Sequence, residues 1–159
     1  MSVISPLSLV FYSTMFTFFS LPLVQFHGDI IISHRRVLLV EDITVNAEIM
    51  IMVLSMREIQ TDHAENGRIA VEMFEEHEEG YYDVILMDLR MPEMDGLEAT
   101  RRIRAMDRID AKTIPIIALT ANAFDEDVQQ SMQAGLNAHL SKPVDPDVLF
   151  ETLDGLLNH

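Results

Sequence analysis

At 159 residues, 48% of them hydrophobic, the chain is long enough for one domain with a proper core and a short extension. It carries 26 acids against 11 bases, for a net charge of −15, and it has no cysteine. A surface of that sign repels nucleic acid, and no basic patch offsets it. The missing thiols exclude a disulfide framework, a thiolate zinc site and a cysteine nucleophile.

Charge is unevenly spread. Before Arg35 the only charged residue is Asp29, His taken as neutral, and the run from Val3 to Phe26 is apolar or uncharged. We place a domain boundary near His34, with residues 1–34 as an apolar N-terminal segment and 35–159 as the folded domain. The apolar run has the roughly 20 residues that a membrane helix needs. Arg35 and Arg36 follow it, which would leave the folded part in the cytoplasm. Pro6, Pro22 and several Ser and Thr count against a membrane helix. A secretory signal fits poorly, because no Lys or Arg precedes the run and no clean cleavage site follows.

From Arg35 onward, apolar runs alternate with helical periodicity. The first strand is Val37 to Val40, ending in Glu41 and Asp42. Val45, Ile49, Met52, Val53 and Met56 then recur at helical spacing and predict a first helix with that stripe inward. A weaker strand is expected over Ile59 to His63. The second helix carries Ile69, Ala70, Met73 and Phe74, with Asn66 as its cap and Gly80 as its stop. His77 stands in an acid-rich run that reads as a solvated helical face.

The strand Val84 to Met87 ends in Asp88. The third helix begins at Asp95, with Glu98 completing a capping-box-like pattern. The strand Ile114 to Leu119 ends in Thr120. The fourth helix is expected over about Ala123 to Ala134, stopping at Gly135. A weak fifth strand, Ala138 to Leu140, precedes Lys142-Pro143. The fifth helix starts at Asp145, with Pro146 in the first turn where proline is tolerated, and directs Val148, Leu149, Leu153 and Leu156 inward. The methionines read as core filling.

Five βα units predict an α/β fold: a doubly wound parallel sheet with right-handed crossovers and helices on both faces. Functional groups in such a fold gather at the carboxyl ends of the strands. Strands one, three and four are neighbours there, so Glu41, Asp42, Asp88 and Thr120 converge, with Lys142 just beyond strand five. Three crowded carboxylates call for a cation. Hard oxygen donors suit Mg²⁺. A carboxylate can attack phosphorus to give an acyl phosphate, and a metal with a lysine neutralises the transferring group. Neither the P-loop nor the dinucleotide-binding glycine fingerprint occurs.

Four segments carry a resemblance to a known family: Val37-Leu38-Leu39-Val40-Glu41-Asp42, Met87-Asp88-Leu89-Arg90-Met91-Pro92-Glu93-Met94-Asp95-Gly96, Ala118-Leu119-Thr120-Ala121, and Leu140-Ser141-Lys142-Pro143. In that order and spacing, Arg36 to Leu157 resembles a response-regulator receiver domain with the CheY-like, flavodoxin-like fold. Asn46 and the run Glu98 to Arg104 are most similar to receivers of hybrid sensor histidine kinases. The resemblance implies a five-stranded sheet in the order 2-1-3-4-5 with five helices. It implies a phospho-accepting domain of a two-component phosphorelay rather than a turnover enzyme.

By the same resemblance Asp88 is the phospho-acceptor, and Glu41, Asp42, Asp88 and the Arg90 backbone carbonyl hold Mg²⁺. Thr120 is the switch hydroxyl, Lys142 contacts the phosphoryl group, and the Lys142–Pro143 bond is cis. His139 takes the position of a switch aromatic that is usually Tyr or Phe. The implied partners are a histidine kinase or a histidine phosphotransfer domain. A face of helix four, strand five and helix five serves partners or a homodimer. A phosphohydrolase with an aspartyl nucleophile would want a second aspartate where Arg90 stands, and the complete set of five site residues argues against a receiver that no longer takes phosphate. The expected location is the cytoplasm, with membrane association only through residues 1–34. Ser13 to Leu23 resembles a degraded final strand of a histidine-kinase ATP-binding domain, so kinase remnant, anchor and a product of the start site all stand open for that segment.

Overall fold

The computed structural model describes residues 35–121 and 132–158. The N-terminal segment 1–34 lies outside the described residues, as does most of the expected fourth helix. Elements run in the order β1 Arg36–Val40, α1 Thr44–Ser55, β2 Gln60–Ala64, α2 Gly67–Glu76, β3 Val84–Asp88, α3 Gly96–Ala105, α4 Ile109–Thr113, β4 Ile116–Thr120, β5 Ala138–Ser141 and α5 Pro146–Leu157. The expected fifth helix is thus α5. Met132–Ala134 is helical and Gly135 follows at φ 102, a left-handed value that glycine adopts without cost.

The five strands form one parallel sheet in the order β2-β1-β3-β4-β5, as expected. Its central strands are buried on both faces because alternate residues feed two cores. Leu38, Val40, Ile85, Met87, Ile116 and Ala118 join Phe74 of α2 and Ile103 of α3 in one cluster. Val37, Leu39, Val84, Leu86, Ile117 and Leu119 join Leu54 of α1 and Leu149 and Leu153 of α5 in the other. That two-residue alternation is why these strands are continuous apolar runs.

Three caps read from the sequence form. The Asn66 side chain accepts from the Ile69 amide at 2.9 Å, Asp95 from Glu98 at 2.8 Å, and Asp145 from Asp147 and Val148. The Glu98 carboxylate pairs with Arg102 at 2.8 Å.

Other expectations are corrected. β4 starts at Ile116, not Ile114, because Pro115 has no amide to pair. α2 ends at Glu76, before Gly80, where the His77 ring turns back onto the Met73 carbonyl at 2.7 Å and stacks on Tyr81 at 4.0 Å. His77 is therefore partly packed, while the acids around it are exposed. The short α4 was not expected. It is held by Arg104, whose half-buried guanidinium donates to the carbonyls of Ala111, Ile114 and Gly135.

The largest correction concerns α1. Val45, Ile49, Met52 and Met56, assigned inward by their spacing, are exposed, and Ala47 and Leu54 are buried instead. Apolar residues of α1 are spread around the helix with little bias to one side, so periodicity could not say which stripe faced the sheet.

Glu58 closes the turn after α1 at φ 57, a conformation disfavoured for a residue with a Cβ. Glu58→Gly is expected to stabilise the domain by about 1 kcal/mol, read as a higher denaturation midpoint at unchanged slope.

Candidate functional site

The chain's acids meet where strands end. Glu41 directly follows β1, Asp88 closes β3, Thr120 closes β4, and Lys142 follows β5. Glu41 and Asp88 are buried and Asp42 is half-buried. One carboxylate oxygen from each lies within 4.8 Å of the other two. Three negative charges at that separation are costly unless a cation joins them, and their hard oxygens match what Mg²⁺ takes. The donor set therefore fits a magnesium ion.

Lys142 brings a positive charge into contact with this group. Its ammonium donates to Glu41 Oε2 at 2.5 Å and to Asp88 Oδ2 at 2.7 Å. Its backbone is fixed as well: the Lys142 amide donates to the Thr120 carbonyl at 2.7 Å, and the Lys142–Pro143 peptide is cis, as the resemblance implied. The other oxygen of Asp88, Oδ1, accepts the Arg90 amide at 3.1 Å. Arg90 was singled out for its carbonyl, and its amide contact with Asp88 was not foreseen.

Electrostatics follow from this packing. Burial pushes the Asp88 carboxyl above the ordinary carboxylate range; Lys142 and the Arg90 amide pull it back only in part, and Glu41 pushes it further up. For Lys142, burial works to lower the value, but the hydrogen bonds to Asp88 and Glu41 together outweigh it, so its ammonium is held charged. Both values are raised, that of Asp88 by burial and that of Lys142 by its two acidic partners. His139 is half-buried on β5, in register with Ala118, and burial lowers its pKa. Thr120 is half-buried beside Ser141 across the β4–β5 pairing.

Two contacts around Glu41 were missed by sequence reasoning. The Asn46 amide donates to Glu41 Oε1 at 3.1 Å, and the His63 ring lies 2.8 Å from the Glu41 carbonyl. Asn46 was noted only as part of the resemblance, and nothing in the pattern around His63 marks it. Beside the acids, a cavity of about 370 Å³ opens between α1 and α5, walled by Ile49, Met50, Val53 and Leu149, with Asn46 and Lys142 at its polar side.

A flavodoxin-like sheet with a cation-ready acid cluster and a lysine at its strand ends defines a domain built to handle phosphoryl groups at a topological switch point. The chain belongs to the response regulator receiver domain family, which matches residues 37–154. It is a receiver domain of a two-component phosphorelay. Hybrid signal transduction histidine kinase I of Dictyostelium discoideum is 34% identical over 122 residues, which take in 76% of this chain but 7% of that protein. The chain thus spans a small part of that relative.

Among solved structures, the receiver domain of a sensor histidine kinase from Pseudomonas aeruginosa, with a magnesium ion coordinated in its active site cleft, is 38% identical with a TM-score of 0.71. The match covers 79% of this chain and 98% of that one. The receiver domain of the Saccharomyces cerevisiae response regulator Ssk1, solved with the histidine phosphotransfer protein Ypd1, is 30% identical with a TM-score of 0.69, covering 77% and 88%. Among the described residues no helix is long and apolar enough to cross a membrane.

Proposed function

We propose that the domain accepts a phosphoryl group on Asp88 from a phosphohistidine of a kinase or phosphotransfer protein. The observation that carries this reading is the Asp88 carboxylate itself, buried at the end of β3 and held by the Lys142 ammonium at 2.7 Å beside two further acids. An Asp88 oxygen attacks phosphorus, the P–N bond to imidazole breaks, and the imidazole leaves with the bonding pair. Lys142 is placed to neutralise charge gathering on the phosphoryl oxygens. Glu41, Asp42, Asp88 and the Arg90 carbonyl would hold Mg²⁺, which when bound supplies further neutralisation and orientation of those oxygens. Thr120 and His139 would pass the altered charge to the surface around β5 and α5, where a partner or a second copy would bind.

Incubation with acetyl phosphate and Mg²⁺ tests the site. Mass spectrometry is expected to show one added phosphoryl group, absent in Asp88→Asn. Modification of another residue with Asp88 left free overturns the assignment.

The exposed stripe on α1 supports a helical partner. Val45, Ile49, Met52 and Met56 follow the alternating four- and three-residue spacing of a helix-packing seam, and they start just past Asp42. Glu41 and Asp42 precede the first turn of α1 and Asp88 lies beside them, so a helix seated on this seam would bring its phosphohistidine to the acid cluster. Met52→Glu is expected to slow transfer from a phosphorylated histidine phosphotransfer protein by tenfold or more, about the effect of losing an interface anchor. Its reaction with acetyl phosphate is expected to stay unchanged.

A further inference from the structure

Glu41 is held at every polar atom. Its amide donates to the Ala64 carbonyl at 3.1 Å, and its own carbonyl meets the His63 ring at 2.8 Å. Its Oε2 accepts from Lys142 at 2.5 Å. Its Oε1 accepts from the Asn46 side-chain amide at 3.1 Å and from the Ile43 backbone amide at 3.3 Å. The second of these amides belongs to the residue that opens α1, so the Glu41 carboxylate also fixes the chain where the helix starts. Ile43 is the N-cap of α1 and makes no side-chain cap bond; the Glu41 carboxylate ties its amide and the Asn46 side chain, three residues on, to one oxygen.

That arrangement has a consequence for the lysine. With Oε1 tied to Asn46, the carboxylate plane of Glu41 is fixed and Oε2 is aimed at Lys142. The ammonium is then shared between Glu41 and Asp88. If Oε1 were released, Glu41 could rotate away, and Lys142 would move fully onto Asp88, the acid that must be shared with a divalent cation. Asp42, one residue on, sits on the same loop and would lose its fixed position too.

We propose that Asn46 is a positioning residue of the phosphoryl-transfer site: by holding Glu41 Oε1 it keeps Lys142 divided between Glu41 and Asp88 and keeps the three carboxylates set for a cation. This rests on the reading of Asp88 as the acceptor. Asn46 is half-buried in the first turn of α1, so replacing it removes a hydrogen bond without opening the core. Groups that orient ligands from outside the coordination sphere usually matter by about 10–100-fold in metal affinity.

The test compares the wild type with Asn46→Leu, of similar size but without a donor, with Asn46→Ala as a second donor-free variant, and with Asn46→Gln, which keeps the amide. Calorimetric titration with Mg²⁺ alone is expected to show about tenfold weaker binding in the two donor-free variants. Asn46→Gln is expected to recover most of the affinity, and thermal midpoints without Mg²⁺ should stay close to wild type. Phosphorylation by acetyl phosphate at limiting Mg²⁺ should slow in the same order, and saturating Mg²⁺ should narrow the gap. Mg²⁺ affinity equal to wild type in both donor-free variants overturns the proposal, even if transfer from a protein partner is slowed. So does a loss that Asn46→Gln does not repair, or one that follows a fall in the thermal midpoint. If the wild type itself takes no phosphoryl group at Asp88, the functional reading fails; if it does, and the Asn46 variants match it, only the role of Asn46 fails.

Discussion

Lys142→Met is expected to slow phosphorylation of Asp88 by acetyl phosphate by about a hundredfold or more, the usual cost of losing one preorganised charge partner at a transferring group. The same change is expected to alter stability in a pH-dependent way. Lys142 is the cation that Glu41 and Asp88 share, and without it two buried carboxylates face each other. Asp88 already titrates above the ordinary range because burial penalises its charged form, and removing the lysine takes away its strongest opposing contact. A carboxyl whose folded value exceeds its unfolded one contributes stability in full below the unfolded value and loses that contribution as pH rises through the folded value. The metal-free variant should therefore be closest to wild type in mild acid and fall behind as the pH approaches neutrality. Denaturation midpoints collected across that range check the sign; a constant deficit at every pH would show that Lys142 acts through packing alone. Added Mg²⁺ should close part of the neutral-pH gap.

Gly96→Ala is expected to cost about 3 kcal/mol, the upper end of what overpacking a tight site usually costs. A Cβ at Gly96 would sit 2.2 Å from the Asp88 carbonyl oxygen, 2.9 Å from Met87 Cγ and 3.0 Å from the Asp88 carbonyl carbon. Two of those atoms are backbone and cannot swing aside. The Gly96 amide is bonded to the Leu89 carbonyl at 3.1 Å, and its carbonyl accepts the buried Thr100 hydroxyl at 2.7 Å, so the start of α3 is pinned as well. The strand end carrying Asp88 must give way, and both stability and Mg²⁺ affinity should fall. Gly67→Ala makes a useful comparison. Its Cβ would lie 2.6 Å from the Met94 carbonyl oxygen, so it should destabilise the domain while disturbing Asp88 less directly. A Gly96→Ala protein with wild-type midpoint and Mg²⁺ binding would mean that the β3–α3 junction is far softer than its contacts indicate.

How much of this was legible beforehand differs by element. The central strands were readable because a parallel strand buried on both faces needs apolar residues at every position, and Val37–Val40 and Val84–Met87 supply them. β2 was harder: Thr61, Asp62 and His63 lie on an edge strand and are only half-buried, so no continuous run marks them. The caps at Asn66, Asp95 and Asp145 were readable because capping is local chemistry within three residues. α4 was not, because its five residues are held by Arg104 from another helix.

The sequence by itself determined the strand order of chemistry: which apolar runs end in Glu41, Asp42, Asp88 and Thr120, and which lysine precedes a proline. Those are properties of neighbours along the chain, and a doubly wound topology then allows few ways to bring them together. Tertiary structure decided what no spacing encodes. It chose which of the apolar stripes of α1 faces the sheet, and so left Val45, Ile49, Met52 and Met56 outside. It also divided Lys142 between two acids 101 and 54 residues away and set Asn46 against Glu41. Helix rotation and side-chain pairing over such separations depend on how the cores of both sheet faces pack, and that packing exists only once the whole domain has closed.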